Sequence, residues 1–381
     1  MEKVIFISLL MCLCTLNIVF AENGVSDKEI ILGQSCAMAG PAKALGIGMK
    51  KGMAAYFAQI NDAGGVKGRK IKLITLDDGY EPEKAIKNTR KLIEKEKVFA
   101  LIGEVGTPTS KAVVPIAEKA KVPFFGPFTG AEFLRKPFKK YVVNVRGSYY
   151  QEMEKLAQYL VDTKKMKKIA CFYQNDDYGQ AGLSGIQLAL KKREMELIET
   201  GNYERNTIAV KSSLLKIRRA KPEAVVMVGA YKPCSEFIKL ARKVKMTDTV
   251  FCNISFVGTE ALKKALGDTG EGCIISQVVS YPWDQNIPLV KEYTAAMKKF
   301  NSKLDVGFVT LEGYMVAKLF CMTLEAVKGD LNRENFLKAI SEQGKFDLGG
   351  VILKYGPDDH QGMDKVFLTI ISGQDIIPLK N

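Results

Sequence analysis

The chain of 381 residues contains one histidine, His360. A metal centre built on several histidines is therefore excluded, and any Ser-His-Asp or Cys-His nucleophile would have to use that one residue. The eight cysteines include no Cys-x-x-Cys pair and no zinc-type spacing. Gly46, Gly48 and Gly52 miss the G-x-G-x-x-G fingerprint and follow the first strand too late to cradle a pyrophosphate, so no nucleotide or other cofactor is expected. Past the N-terminus no apolar stretch approaches the roughly 20 residues that a membrane helix needs. Charge of one sign does not gather either. The 56 Lys+Arg against 42 Asp+Glu give +14, but lysines recur as pairs (Lys164-Lys165, Lys191-Lys192, Lys298-Lys299) on what read as solvated helix faces. A nucleic-acid partner is not expected from that pattern, and only a general bias toward anionic ligands remains.

What is present begins with a leader. Lys3 precedes an apolar run over residues 4–20, and Val19-Phe20-Ala21 supplies the small-residue pattern of a cleavable signal. Residues 1–21 are thus expected to be removed near Ala21, leaving an exported, periplasmic protein. Cys12 and Cys14 fall in the leader. Of the remaining six, Cys171, Cys252 and Cys273 sit in β-branched runs as small core residues; an oxidising compartment would allow a bridge, and the sequence leaves the pairing open.

From residue 29 short apolar runs alternate with helical periodicity. Strands are expected at residues 30–33, 71–76, 99–103, 123–125 and 141–145, and again at 168–173, 197–201, 224–228, 250–253 and 273–278. Such alternation implies parallel sheets buried on both faces. Two rounds without a Pro/Gly-rich linker predict an α/β fold of two Rossmann-like lobes. The tail from residue 280 is too short for a third lobe and is expected to cross back and complete both. The boundaries are then 26–145 with 280–345 for one lobe and 146–279 with 346–381 for the other, with hinge crossings near Arg146, Ser280 and Lys345. Ligands of such sheets bind beyond the carboxyl ends of the strands. Two loops there, Gly103-Glu104-Val105-Gly106-Thr107-Pro108-Thr109-Ser110 and Gly126-Pro127-Phe128-Thr129-Gly130, combine small residues, hydroxyls and a helix start, which suits an anionic group. Simple helix capping would use the same residues.

These residues resemble a known family. Ala39-Gly40-Pro41, Asn61-Asp62-Ala63-Gly64-Gly65-Val66-Lys67-Gly68, Asp77-Asp78 and Asp177-Tyr178-Gly179 together are similar to the exported substrate-binding proteins of ABC importers, branched-chain amino acid class. Gly106-Thr107-Pro108-Thr109, Pro127-Phe128-Thr129-Gly130-Ala131-Glu132, Ser255-Phe256-Val257-Gly258 and Leu311-Glu312-Gly313-Tyr314 mark a subgroup. The resemblance implies two lobes closing on a small molecule, delivery to an ABC permease in the inner membrane, and a monomer. It implies that Thr107 grips the ligand carboxylate beside Gly106 and Phe128, that Thr129 or Gly130 makes the next contact, and that Tyr178 and Tyr231 cover the ligand from the second lobe.

The departures from that family are informative. Where its amino-acid binders place an acid against the ligand ammonium, this chain has Ser255. A buried ammonium without its counterion costs roughly 2–5 kcal/mol, so a leucine-like ligand requires Glu312 or Glu104 to substitute. A binding-loop disulfide implied by the family is lost, its two positions being Tyr80 and Gly106. Phe128, Tyr150, Tyr178, Tyr231, Phe256 and Phe308 are candidates to wall the cleft, with Trp283 near a crossing, which favours a carboxylate-bearing, amino-acid-like or aromatic ligand. A sensory module signalling to a membrane kinase or chemoreceptor would use the same cleft. An enzymatic reading rests on the acid pairs Asp77-Asp78 and Asp176-Asp177, for which capping is the simpler account, and no activity is expected.

Overall fold

The computed structural model describes residues 22–300 and 306–379, so the leader assigned to residues 1–21 lies outside the described residues. Strands and helices alternate along the chain: β1 (Glu29–Cys36), α1 (Lys43–Asp62), β2 (Lys70–Asp77), α2 (Pro82–Arg90), β3 (Ala100–Ile102), α3 (Thr107–Lys119), β4 (Phe124–Phe125) and β5 (Val142–Val143). The round then repeats as α4 (Tyr149–Ala157), β6 (Ile169–Gln174), α5 (Asp177–Lys191), β7 (Glu199–Tyr203), α6 (Lys211–Arg219), β8 (Ala224–Val228), α7 (Tyr231–Lys243), β9 (Val250–Asn253), α8 (Thr259–Leu266) and β10 (Ile274–Gln277). Strands such as β8, Ala-Val-Val-Met-Val, are buried along their whole length because helices cover both faces of a parallel sheet.

The first sheet has the order β2-β1-β3-β4-β5, and its pairings are parallel. The second repeats that winding as β7-β6-β8-β9-β10 and is extended by two antiparallel strands, β14 (Phe367–Ser372) and β15 (Asp375–Pro378). In each lobe the strand order reverses between the first and third strands, and the loops beyond that switch point face the other lobe.

The tail supplies α9 (Pro288–Phe300), α10 (Phe308–Ala326) and α11 (Arg333–Gln343), then β11 (Lys345–Asp347), β12 (Ile352–Gly356) and β13 (Asp359–Gly362). Helix α10 packs on α1 nearly backbone to backbone. A Cβ at Gly52 would lie 1.9 Å from the Thr310 carbonyl oxygen, and one at Gly313 2.4 Å from that of Met49. This seam fixes Glu312, next to Gly313, at depth. The expected return to the second lobe at residue 346 is corrected. Strands β11–β13 form a separate sheet beside the first lobe, where Asn144 N–H donates to the His360 carbonyl at 2.8 Å and Met363 N–H to that of Val145 at 3.1 Å. The third crossing therefore lies at residues 363–366. His360 is structural: its Nδ1 lies 3.1 Å from the Val142 carbonyl oxygen, its ring edges Phe138 at 4.9 Å, and burial lowers its pKa. All six described cysteines are buried free thiols. No described helix is long and apolar enough to cross a membrane.

Candidate ligand-binding site

Five of the expected residues converge on the first lobe's edge. The loops after β3 and β4 are stitched together by Gly106 N–H donating to the Phe128 carbonyl at 3.3 Å and Phe128 N–H to that of Glu104 at 2.7 Å. Gly106 has φ 114°, and a Cβ there would meet the Tyr80 ring at 2.3 Å, so only glycine suits both the backbone and the space. Thr107 opens α3 and its hydroxyl shares a 2.7 Å hydrogen bond with that of Thr129. The capping account fails for it, since α3 has no side-chain cap. Gly130 makes room for Tyr149: a Cβ there would lie 2.6 Å from the Tyr149 ring, and the Gly130 carbonyl accepts Tyr149 N–H at 2.7 Å.

The second lobe brings Tyr178, Tyr231, Ser255 and Phe256 to the same place. Tyr178 starts α5, held by Asp176, whose carboxylate accepts the Tyr178 and Gly179 N–H groups. Its ring lies 4.5 Å from Phe256 and 5.5 Å from Tyr149. Phe256 in turn meets two first-lobe rings, Phe128 at 5.5 Å and Tyr80 at 6.0 Å. The phenol of Tyr231 faces the Ala44 backbone N–H across the cleft. Two of the candidate aromatics lie outside this cluster. Tyr150 turns away from the cleft toward a surface groove with Gln151, Glu154 and Lys155, because one residue along a helix is a rotation of about 100°; its neighbour Tyr149 takes the inward position. Phe308 packs at the rim with Trp283 and Tyr281, at 5.7 and 6.3 Å.

The centre is a charged group that the sequence reading did not assign to the site. Arg146, on the first crossing, is 1 % exposed, with its guanidinium 4.5 Å from the Phe128 ring centroid. Its Nη2 donates to the Ser255 hydroxyl, its Nε lies 3.3 Å from Glu312 Oε1, and Glu152 Oε1 is 4.0 Å from Nη2. Ser255 and Ser276 turn their donors onto Glu152, at 2.8 Å from Ser255 N, 2.9 Å from Ser255 Oγ and 2.6 Å from Ser276 Oγ. An acid thus reaches the Ser255 neighbourhood from α4. Burial works against the Arg146 charge, yet Glu312 and Glu152 hold its pKa above the usual value. Burial pushes Glu312 up to about 7, although Arg146 pulls it down. Glu104 lies in the first lobe beside Asp78, where burial and the Asp78 charge raise its pKa. The sequence did carry a signal for Arg146: it is a charged residue ending the apolar run Val142-Val143-Asn144-Val145 at the carboxyl side of a strand.

The rim closes with polar contacts between lobes. Arg205 bridges Glu81 at 3.1 Å and Asp176 at 3.2 Å, Asn206 Nδ2 donates to the Gly79 carbonyl at 3.1 Å, and Lys111 meets Asp177 at 2.5 Å. Gln174 Nε2 donates to the Tyr80 phenol at 3.3 Å from the opposite lobe. A cavity of about 250 Å³ opens where Leu45 and Gly48 face Gly258 and Ala261. The acid pairs have structural duties: Asp77 accepts the Met38, Ala39 and Gly79 N–H groups, and Asp78 accepts the Ser35 hydroxyl and the Tyr80 N–H. Among the described residues no group of three or more His, Cys, Asp or Glu could hold a metal ion.

Comparison with known proteins agrees with this architecture. The family described as periplasmic binding protein matches residues 29–375. A Leu/Ile/Val-binding protein of Citrobacter freundii is 25% identical over 280 residues, 73% of this chain and 74% of that protein. The crystal structure of a possible leucine/isoleucine/valine-binding protein from Rhodopirellula baltica SH 1 superposes with a TM-score of 0.88 at 37% identity, covering 95% of this chain and 98% of the other. A fatty acid ABC transporter substrate-binding protein from Thermomonospora curvata shares the fold, with a TM-score of 0.83 at 24% identity over 94% and 93% of the two chains.

Proposed function

Because the chain belongs to the periplasmic binding protein family, we propose that it is an exported receptor that closes its two lobes on a small carboxylate-bearing molecule and delivers it to an ABC permease. The observation that carries this reading is the buried cluster to which both lobes contribute. Tyr80, Thr107, Phe128 and Thr129 come from one lobe, Tyr149, Tyr178 and Phe256 from the other, and Arg146 stands on the crossing between them. Apolar walls with a few convergent polar groups are the ordinary makeup of a small-molecule site. The relatives named above are binding proteins, and proteins of this one fold are described as taking both branched-chain amino acids and a fatty acid. The fold is therefore compatible with ligands that have an ammonium group and with ligands that lack one. Native mass spectrometry of freshly purified protein tests the reading. A retained small molecule, whose removal and return change the scattering radius, is expected; protein that neither carries nor responds to any small molecule refutes it. Delivery is tested by uptake of that molecule in cells with and without the receptor.

A further inference from the structure

The buried polar groups between the lobes differ in how much bonding capacity they have left. Glu152 has both oxygens engaged, by Ser255 N, Ser255 Oγ and Ser276 Oγ. Arg146 is the opposite case. Its Nη2 is used by Ser255, but neither Nε–H nor Nη1–H makes a hydrogen bond, and both are buried. The Tyr149 hydroxyl is likewise buried without a hydrogen bond of normal geometry, with the Thr129 and Thr107 hydroxyls acting on it. Those two hydroxyls share one hydrogen bond, which leaves one of their two hydrogens over. Around Arg146 the surplus is in donors, and a carboxylate is the group that accepts charge-assisted N–H bonds from a guanidinium.

An ammonium has no comparable place. Glu152 already accepts three hydrogen bonds, and Glu104, whose buried oxygens have no partner, lies apart beside Asp78. The remaining acid, Glu312, has Arg146 Nε 3.3 Å from its Oε1, so a cation seated on Glu312 would lie against the guanidinium, and like charges at short range in a dry site repel. The groups packed around the guanidinium are rings: Phe128, with the guanidinium stacked on it, then Phe256, Tyr178 and Tyr149.

We infer that Arg146 is the anchor for the ligand's carboxylate, that Glu312 holds the guanidinium edge until that carboxylate displaces it, and that the ligands are organic acids with an aromatic or apolar body and no α-ammonium. The inference rests on the receptor reading and names the ligand class of that same cleft. It carries a proton linkage. With Glu312 titrating at about 7, a carboxylate arriving on Arg146 favours the protonated acid, so binding takes up a proton. The charged and titratable groups around this exchange are Arg146, Arg135 and Glu152, with Tyr149 and Tyr178 facing the guanidinium.

The test is calorimetry and thermal shift on the mature protein with benzoate, phenylacetate, hexanoate, phenylacetamide, phenylalanine and leucine. At least one acid is expected to bind, with phenylacetamide and the amino acids weaker by roughly 30-fold or more. Above pH about 7 acid binding should weaken by up to tenfold per unit, and Glu312→Gln should bind the acid as tightly or tighter with a flatter pH profile. Because Arg146→Met alone strands two buried acids, it is paired with Arg146→Met/Glu312→Gln, which keeps the charge balanced; a folded double variant should lose roughly 30-fold or more in acid affinity. Undiminished acid binding by the double variant, an amino acid bound as tightly as its acid counterpart, or no acid bound at all each overturns the inference. Closure on phenylalanine, leucine or phenylacetamide would overturn the anchor while leaving the receptor reading intact, whereas no response to any small molecule removes both.

Discussion

At the residue scale, Thr107 and Asp78 separate what a side chain does for the fold from what it does for the ligand. Thr107→Val keeps the shape and leaves the Thr129 hydroxyl without its 2.7 Å partner. Stability should fall by about 1 kcal/mol, with a coupling of similar size in the cycle with Thr129→Val. If the loop is the cradle, ligand affinity falls as well; denaturant melts and titrations on the same samples decide. Asp78 makes a pH prediction. Burial raises its carboxyl to about 6, against the Tyr80 and Ser35 hydrogen bonds, while an unfolded Asp titrates near about 3.9. The folded state therefore binds that proton more tightly, and the stability it contributes is present below pH about 4 and lost as pH rises through about 6. Asp78→Asn should gain on the wild type by up to roughly 3 kcal/mol between those limits, read as unfolding free energy at pH 4 and pH 7. A constant gap between variant and wild type would refute it. Gly106, Thr107, Phe128 and Thr129 were legible because hydroxyls and glycines after a strand suit an anionic group or a helix start, and the family resemblance favoured the first. Arg146, Glu152 and Tyr149 were not, since the chain announces neither which face of α4 turns inward nor that an arginine at a crossing points into the protein.

At the scale of elements, alternation of apolar runs with helical periodicity located all ten parallel strands, with ends a residue or two off in most because the last pairs of a ladder depend on neighbours distant in sequence. The first strand ran furthest beyond its expected end, to Cys36. Its extension carries Ser35 and Cys36 into pairing with Leu76 and Asp77. The tail was read less well. Two terminal strands were expected, where β11 to β15 form, and the small β11–β13 sheet is anchored by contacts such as Tyr355 Oη to the Asn144 carbonyl at 3.0 Å, which no local pattern reveals. One loop pair yields a prediction. The segment after β7 reaches the first lobe through Arg205 and Asn206, and Asn206 Nδ2 also donates to Glu81 at 2.6 Å. The Arg205 and Glu81 side chains are 23% and 41% exposed, so these contacts are screened and each contributes a fraction of about 1 kcal/mol. Arg205→Ala/Asn206→Ala should therefore release ligand a few-fold faster, with association and melting little changed. The difference from wild type should shrink at high salt, and an unchanged off-rate in stopped flow would show that the rim does not latch.

For the molecule as a whole, three crossings at residues 145–146, 280–287 and 363–366 join the lobes, and they are cross-tied. Arg135 Nε donates to Gln361 at 3.0 Å and its Nη2 to the Arg146 carbonyl at 2.9 Å, while Gln151 Nε2 donates to Asp364 at 2.9 Å. A hinge held this way favours rotation of the lobes as bodies over local unfolding. Opening would part Tyr80 and Phe128 from Phe256, rings now at most 1 % exposed, and would separate Tyr231 from Ala44. Exposing those rings is unfavourable by roughly 25 cal/mol for each Å² of apolar surface, and a bound ligand with an apolar body covers the same surface from both sides. Ligand should therefore shift the population toward the closed form. A ligand that binds only that form, at 100 times its dissociation constant, adds about 2.7 kcal/mol to the stability of the folded state. Tyr231→Phe removes only the phenol that reaches Ala44 and leaves the ring. It should weaken binding a few-fold while the melting temperature without ligand holds, because the lost contact exists only when the lobes meet. Small-angle scattering with and without ligand gives the direct measure: the radius of gyration should fall on binding in both proteins, less completely in Tyr231→Phe at equal ligand concentration. A ligand of confirmed affinity that changes neither the radius nor the melting temperature would contradict closure about these crossings.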